Sequence, residues 1–112
     1  MEQRRELKSG EIDLIEYLAK KAEYPLNKFW HCYYKASPMN DGGMGSILLI
    51  PDGHSCKERM FKAQISECTL KDTDGTDIII SLNIDQDDYL FELDIWKCDF
   101  TPVISKIEDW IF

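Results

Sequence analysis

From Ile78 to Trp96 the chain alternates apolar and polar residues on both sides of an acidic break, IIISLNIDQDDYLFELDIW. A period of two over this length specifies two strands, and the break around Gln86-Asp87 specifies a hairpin between them. On the first arm Ile78, Ile80, Leu82 and Ile84 share a face. On the second, Tyr89, Phe91, Leu93 and Ile95 share one face, while Leu90, Glu92, Asp94 and Trp96 share the other. Matching apolar to apolar predicts Ile84 opposite Tyr89, Leu82 opposite Phe91, Ile80 opposite Leu93 and Ile78 opposite Ile95. Ser81 then faces Glu92, and Ile79 faces Asp94, on an outer face that sets two carboxylates beside an indole.

A hairpin with one apolar face needs a second layer over it. The N-terminal segment supplies one: Ile12, Ile15, Leu18, Ala19 and Ala22 keep helical spacing, with Leu14 widening the stripe. Ser9 reads as the N-cap, Glu11 suits the first turn, and Lys20 and Lys21 suit the last. Pro25 ends the helix near Glu23. Asp13, Glu16, Lys20 and Glu23 fall on its solvent side. Further strands are predicted over His31–Ser37, Ser46–Ile50 and Arg59–Leu70. A bulge near Ser66 is expected in the last of these, because Phe61, Ala63 and Ile65 share a parity that Cys68 and Leu70 do not. Asn40–Gly43, Pro51–His54 and Asp74-Gly75 read as turns. In the tail from Pro102 to Phe112, the spacing of Val103, Ile104, Ile107, Trp110 and Ile111 fits a short helix or irregular packing equally. The expectation is one domain over residues 1–112, of α+β class, with an N-terminal helix packed on a mainly antiparallel sheet of about five strands.

The net charge of −8 is concentrated in one place. Ten acids lie between Glu67 and Asp99 against only Lys71 and Lys97, so the rest of the chain is neutral. Such a field repels nucleic-acid phosphates and anionic lipid and attracts basic partners. The expected partner is therefore a basic protein, with no nucleic acid and no membrane; a homodimer burying the tail or the outer sheet face is the other possibility. Cys32, Cys56, Cys68 and Cys98 stand singly, without a CxxC pair. MEQRRELKSGEIDL lacks the apolar run of a signal peptide, and no stretch approaches the ~20 apolar residues of a membrane span. Reduced thiols in a cytoplasm are the expectation.

Two segments, MNDGGMGSI at Met39–Ile47 and LFELDIWKCDF at Leu90–Phe100, resemble a family of small uncharacterised bacterial proteins. That family pairs a DGGMGS turn with a later ELDIWK-x-DF strand and begins with a helix of the EIDLIEYL kind. The resemblance covers Glu11 to Phe100. It implies a bacterial, cytoplasmic α+β domain with no assigned activity, so no catalytic residue is carried over. The chain departs from the pattern at Asp88, where glycine is usual in the hairpin.

Each candidate chemistry has a structural counterpart. Asp41, Gly42, Gly43, Gly45 and Ser46 form a glycine-rich turn able to cradle an anion through converging amides. A strand-like SILLI run follows instead of the helix that completes common phosphate loops, and neither GK[ST] nor GxGxxG occurs, so a turn needing positive φ is expected. Read as a calcium loop from Asn83, the chain offers Asn83, Asp85, Asp87 and Asp94, but Asp88 stands where glycine is needed, between strands rather than helices. His31 with Cys32, or His54 with Cys56, gives two zinc ligands without a third or a Cys–His nucleophile pair without a pocket. Glu92 and Asp94, about 7 Å apart on one strand face, lack the pocket that divides acid from base roles. No metal, cofactor or catalytic residue is assigned.

Trp96 is either covered by the tail, with Trp110 and Phe112, or serves as a contact anchor. The second option gives the functional expectation: a non-enzymatic interaction module, with an immunity- or antitoxin-like role as one form of it, binding through Glu92, Asp94 and Trp96 with Asp85, Asp87 and Asp88. The alternative is a small ligand-binding protein or enzyme that uses the glycine turn with Asp41, His54 or Cys56.

Overall fold

The apolar stripe of the N-terminal segment does form a helix, α1 (Ser9–Lys21), which buries Leu14, Ile15, Leu18 and Ala19. A computed structural model describes residues 3–54 and 58–112. The N-cap is Lys8, one residue before the expected Ser9. Glu11 causes the shift. Its Oε1 accepts the Lys8 N–H at 2.8 Å, and Arg5 clamps both carboxylate oxygens, also at 2.8 Å. An acid in the first turn thus takes over capping from the serine hydroxyl.

Five strands follow: β1 (Tyr34–Pro38), β2 (Ile47–Pro51), β3 (Phe61–Lys71), β4 (Asp77–Asp85) and β5 (Leu90–Lys97). They form one sheet in the order β1-β2-β5-β4-β3, with every neighbouring pair antiparallel. The α+β class expected from the sequence is observed. α1 packs on β3 and β4, and its apolar side joins Ile78, Ile80, Leu82, Leu93, Ile95, Ile47 and Leu49 in one core. Full burial of each such side chain contributes roughly 1.5–3 kcal/mol, so this layer contact dominates the stability of the sheet.

The register of the central hairpin differs from the expected one. Ile80 lies opposite Ile95 and Leu82 opposite Leu93, while Ser81 faces Asp94 and Ile79 faces Trp96. The cause is a bulge: Ile84 pairs with Leu90 and Asn83 with Glu92, which leaves Phe91 as an extra residue. Leu93 and Ile95 keep their core positions, but Leu90 is fully buried, whereas Tyr89 and Phe91 are half-buried. The Asp85–Tyr89 loop turns through Asp88 at φ 66°, a left-handed position that glycine favours and aspartate tolerates.

Register shifts in β3 fall at Phe61/Ala63 and at Gln64/Ser66, the second where parity predicted it. They also interrupt a long edge strand, which hinders pairing with another chain. The opposite edge is closed by reciprocal 2.8 Å hydrogen bonds between Arg5 and Ala36 of β1. His31 and Cys32 lie in a 3₁₀ turn, not in a strand. The turn buries the Trp30 ring and lets its Nε1–H donate to Glu16 Oε2 at 3.0 Å.

The tail adopts only a 3₁₀ turn at Ile107–Asp109 and packs on the helix side of the sheet. Phe112 reaches Tyr17, with ring centroids 5.1 Å apart. Gly10 permits the approach, since a Cβ there would meet Ile107 Cγ2 at 2.9 Å. The tail therefore leaves Trp96 uncovered.

Candidate functional site

The expected partner-binding residues separate into three groups. Glu92, Asp94 and Trp96 share the outer face of β5, opposite in parity to the buried Leu93, Ile95 and Lys97. Glu92 accepts a hydrogen bond from Asn83 Nδ2 at 2.8 Å, and Asp94 accepts one from Ser46 Oγ at 3.3 Å. Trp96 is 43% exposed and meets Phe100, 71% exposed, edge to face at 4.8 Å. Phe100 is held there by a turn in which it takes φ 66° and donates its N–H to Lys97 O. Asp87 and Asp88 sit at the hairpin tip, both exposed, and Asp88 pairs with Lys62 at 2.5 Å.

Asp85 belongs to neither group, because it is 1% exposed. Its Oδ2 accepts Arg59 Nε at 2.8 Å, and its Oδ1 accepts the amides of Asp87 and Tyr89 at 2.9 and 3.0 Å. Arg59 is buried beside it and donates to Leu49 O and Leu90 O, with its guanidinium 5.1 Å from the Phe91 ring centroid. This carboxylate pins the hairpin from inside, where it is not presented to a partner.

A second buried pair lies at the far end of β5. Lys97 is fully buried and contacts Asp72 Oδ2 at 2.9 Å and Asp74 Oδ2 at 2.7 Å. Asp72 also accepts the amides of Ile104 and Ser105 and the Ser105 hydroxyl, so it ties the tail to the sheet. Burial pushes the Asp72 carboxyl up, but these hydrogen bonds together with Lys97 hold it well below the usual carboxylate range. Burial pulls the Lys97 ammonium down, and the two aspartates more than reverse that. Arg59, Lys97 and Asp72 were not expected as determinants of the site. The one available signal was a lysine at core parity, two residues after Ile95.

The glycine turn is built around its own carboxylate. Asp41 accepts the amides of Met44 at 3.1 Å and Ser46 at 2.8 Å, the role a bound anion would otherwise fill. Gly42, Gly43 and Gly45 have φ of 75°, 86° and 97°, as the expected positive-φ turn requires. Gly43 is doubly constrained: its carbonyl accepts the Val103 N–H at 3.2 Å, and a Cβ would lie 3.0 Å from Pro102 Cβ. Gly43→Ala is therefore expected to cost about 1 kcal/mol or more without any ligand present, read from denaturant melts. A loss no greater than that of an exposed control substitution would remove the packing role. Beside the turn, the start of α1 and the tail border an open cavity of about 650 Å³.

The remaining candidates stay apart. The 3₁₀ turn brings Cys32 Sγ within 3.7 Å of His31 Nδ1, closer than strand geometry implied. The His54 ring instead packs on Tyr89 at 4.9 Å, and Cys56 lies outside the described residues. Among the described residues, no group of three or more His, Cys, Asp or Glu is placed to hold a metal ion. No helix there is long and apolar enough to cross a membrane. Neither a curated protein nor a solved structure matches the chain. A family model does match, over residues 4–107, which takes in the helix, all five strands and the glycine turn; the chain belongs to the family of the domain of unknown function DUF6984.

Proposed function

We propose that the chain is a non-enzymatic interaction module that presents the outer face of its sheet to a basic protein. The observation behind this reading is the uncovered Trp96–Phe100 pair, on a face from which the tail turns away. An exposed indole braced by a second ring is a pre-organised anchor, and tryptophan is enriched among residues that dominate binding energy. Glu92 and Asp94 flank it on β5, and Glu67 lies across the sheet opposite Ser81. In a chain of net charge −8 these acids accelerate encounter with a basic surface and oppose nucleic acid and anionic lipid. An immunity- or antitoxin-like role in a bacterial cytoplasm suits such a field, by analogy with acidic proteins that block the basic groove of a nuclease. Free Cys32, Cys68 and Cys98 are compatible with a reducing compartment.

The test is a comparison of wild type with Glu92→Lys plus Asp94→Lys, and separately with Trp96→Ala, in affinity capture from a bacterial lysate followed by binding kinetics on the captured protein. The charge variant is expected to associate at least about tenfold more slowly at low salt, and the difference should shrink at high salt. Trp96→Ala should instead speed dissociation. A captured protein whose kinetics neither variant alters would remove this face from consideration. A second reading, binding of a small ligand beside the glycine turn, is favoured by the cavity there, whose volume lies within the range of small-molecule sites.

A further inference from the structure

The cavity beside the glycine turn has a lining that selects among ligands. Its floor is apolar, from the buried Ile47 of β2 and Ile95 of β5, with Val103 and Ile107 supplied by the tail. The turn forms one wall, where a Cβ at Gly42 would meet nothing within 4 Å, while Gly43 packs on Pro102 and Gly45 faces Ile95. A molecule seated there meets hydrocarbon below and charge at the rim.

The rim carries three cations and three acids, a balanced lining in a chain whose net charge is −8. The acids are mostly engaged already. Glu11 is held by Arg5 and the Lys8 amide, and Asp41 by the Met44 and Ser46 amides. Glu108 is the exposed remainder. Of the cations, Arg5 is committed to Glu11, but Lys8 and Lys106 make no ion pair among the described residues. Lys35, Lys62, Lys71 and Lys97 have carboxylate partners, whereas Lys20, Lys21 and Lys28 also make no ion pair among the described residues but do not line this cavity. Two ammonium groups without a fixed counter-ion therefore stand at the rim of this cavity.

We propose that this cavity binds a small amphipathic carboxylate, its apolar body on the isoleucine and valine floor and its carboxylate at Lys8 and Lys106. The inference rests on the ligand-binding reading and adds the class of ligand. A single negative charge gains charge-assisted hydrogen bonds from the two lysines. A phosphate dianion is a poorer match, because Asp41 already occupies the amides of the turn and Glu11 adds a second nearby negative charge. An amine is repelled by the two lysines and finds Glu11 and Asp41 already engaged by donors, with Glu108 as the one lining carboxylate lacking them.

The experiment titrates the full chain with three probes of matched body, phenylpropanoate, phenylpropanol and phenylpropylamine, and reads backbone amide chemical shifts. Phenylpropanoate is expected to give saturable shifts at Gly42, Gly45 and Ile107 and to bind about tenfold more tightly than the alcohol, with the amine weakest. Lys8→Gln with Lys106→Gln, both at exposed positions, should abolish the preference for the carboxylate while leaving alcohol binding unchanged. Equal binding of the three probes at these residues, or a carboxylate preference that survives in the double variant, overturns the carboxylate assignment and leaves the ligand-binding reading standing. Shifts that map elsewhere, or no saturation by any probe at millimolar concentration, overturn both.

Discussion

Asp85→Ala is expected to destabilise the folded chain by about 3–5 kcal/mol, a large share of the 5–15 kcal/mol typical of a domain. Truncation removes three acceptor contacts at once: to Arg59 Nε, to the Asp87 amide and to the Tyr89 amide. The arginine left behind is buried, and its remaining bonds to Leu49 O and Leu90 O do not neutralise its charge. Asp85→Asn does not rescue the site, because all three neighbours are donors and one end of an amide is a donor too. The double variant Asp85→Ala with Arg59→Met should recover part of the loss, because it removes the unpaired charge, although the two loop amides lose their acceptor and the Leu49 and Leu90 carbonyls their Arg59 donors. Urea melts of the four proteins form a double-mutant cycle. Additive losses, with Asp85→Ala costing under about 1 kcal/mol, would mean that Arg59 finds water and that the pair does not pin the hairpin.

Asp85 also marks a limit of reading a sequence by local pattern. DQDD looks like a solvated acidic turn, and three of its four residues are exposed. The fourth is buried because Arg59, which has no periodic relation to it, arrives from before β3. The hairpin register failed for a related reason. Tyr89, Leu90 and Phe91 are all apolar, so an extra residue at Phe91 changes the parity without leaving a polar residue on the wrong side. At Ser66 the same kind of defect was legible, because Ile65 and Cys68 there have polar neighbours that expose the change of phase. The helix, the antiparallel sheet and the positive-φ glycine turn were readable from spacing and residue chemistry. The tail was not. Its path depends on Gly10 as a landing site and Asp72 as a tether, both distant in sequence. For the same reason the outer face was legible as Glu92, Asp94 and Trp96, whereas the cavity lined by Lys8 and Lys106 emerges only once the tail is in place.

The tether makes the second prediction. Asp72→Ala is expected to cost about 3–5 kcal/mol, as removal of one member of a buried ion pair does, and to free the tail as well. Loss of the carboxylate leaves the Ile104 and Ser105 amides without the acceptor that holds them at 2.8 and 2.9 Å. Hydrogen exchange at those two amides should therefore rise in the variant by far more than at core amides of β4. The pH dependence has a definite sign. The folded-state pKa of Asp72 lies below its ordinary 3.8, so its contribution is present above that value and is lost as pH falls towards the folded value. The Lys97 pKa lies above its ordinary 10.5, so its contribution is complete below that value and is lost as pH rises through the folded one. Wild-type stability should accordingly be level with respect to this pair between about pH 4 and pH 10 and fall outside those limits. The acid limb should be shallower in Asp72→Ala and not absent, because Asp74 and Asp99 are also held below their ordinary values, mainly by Lys97 and by Thr101. Pairing Asp72→Ala with Lys97→Met removes a buried ammonium left with only the part-exposed Asp74, so the double variant should be more stable than Asp72→Ala alone while its tail amides stay unprotected. Protection of Ile104 and Ser105 unchanged by Asp72→Ala would show that the apolar contacts of Val103, Ile107 and Trp110 hold the tail without the tether.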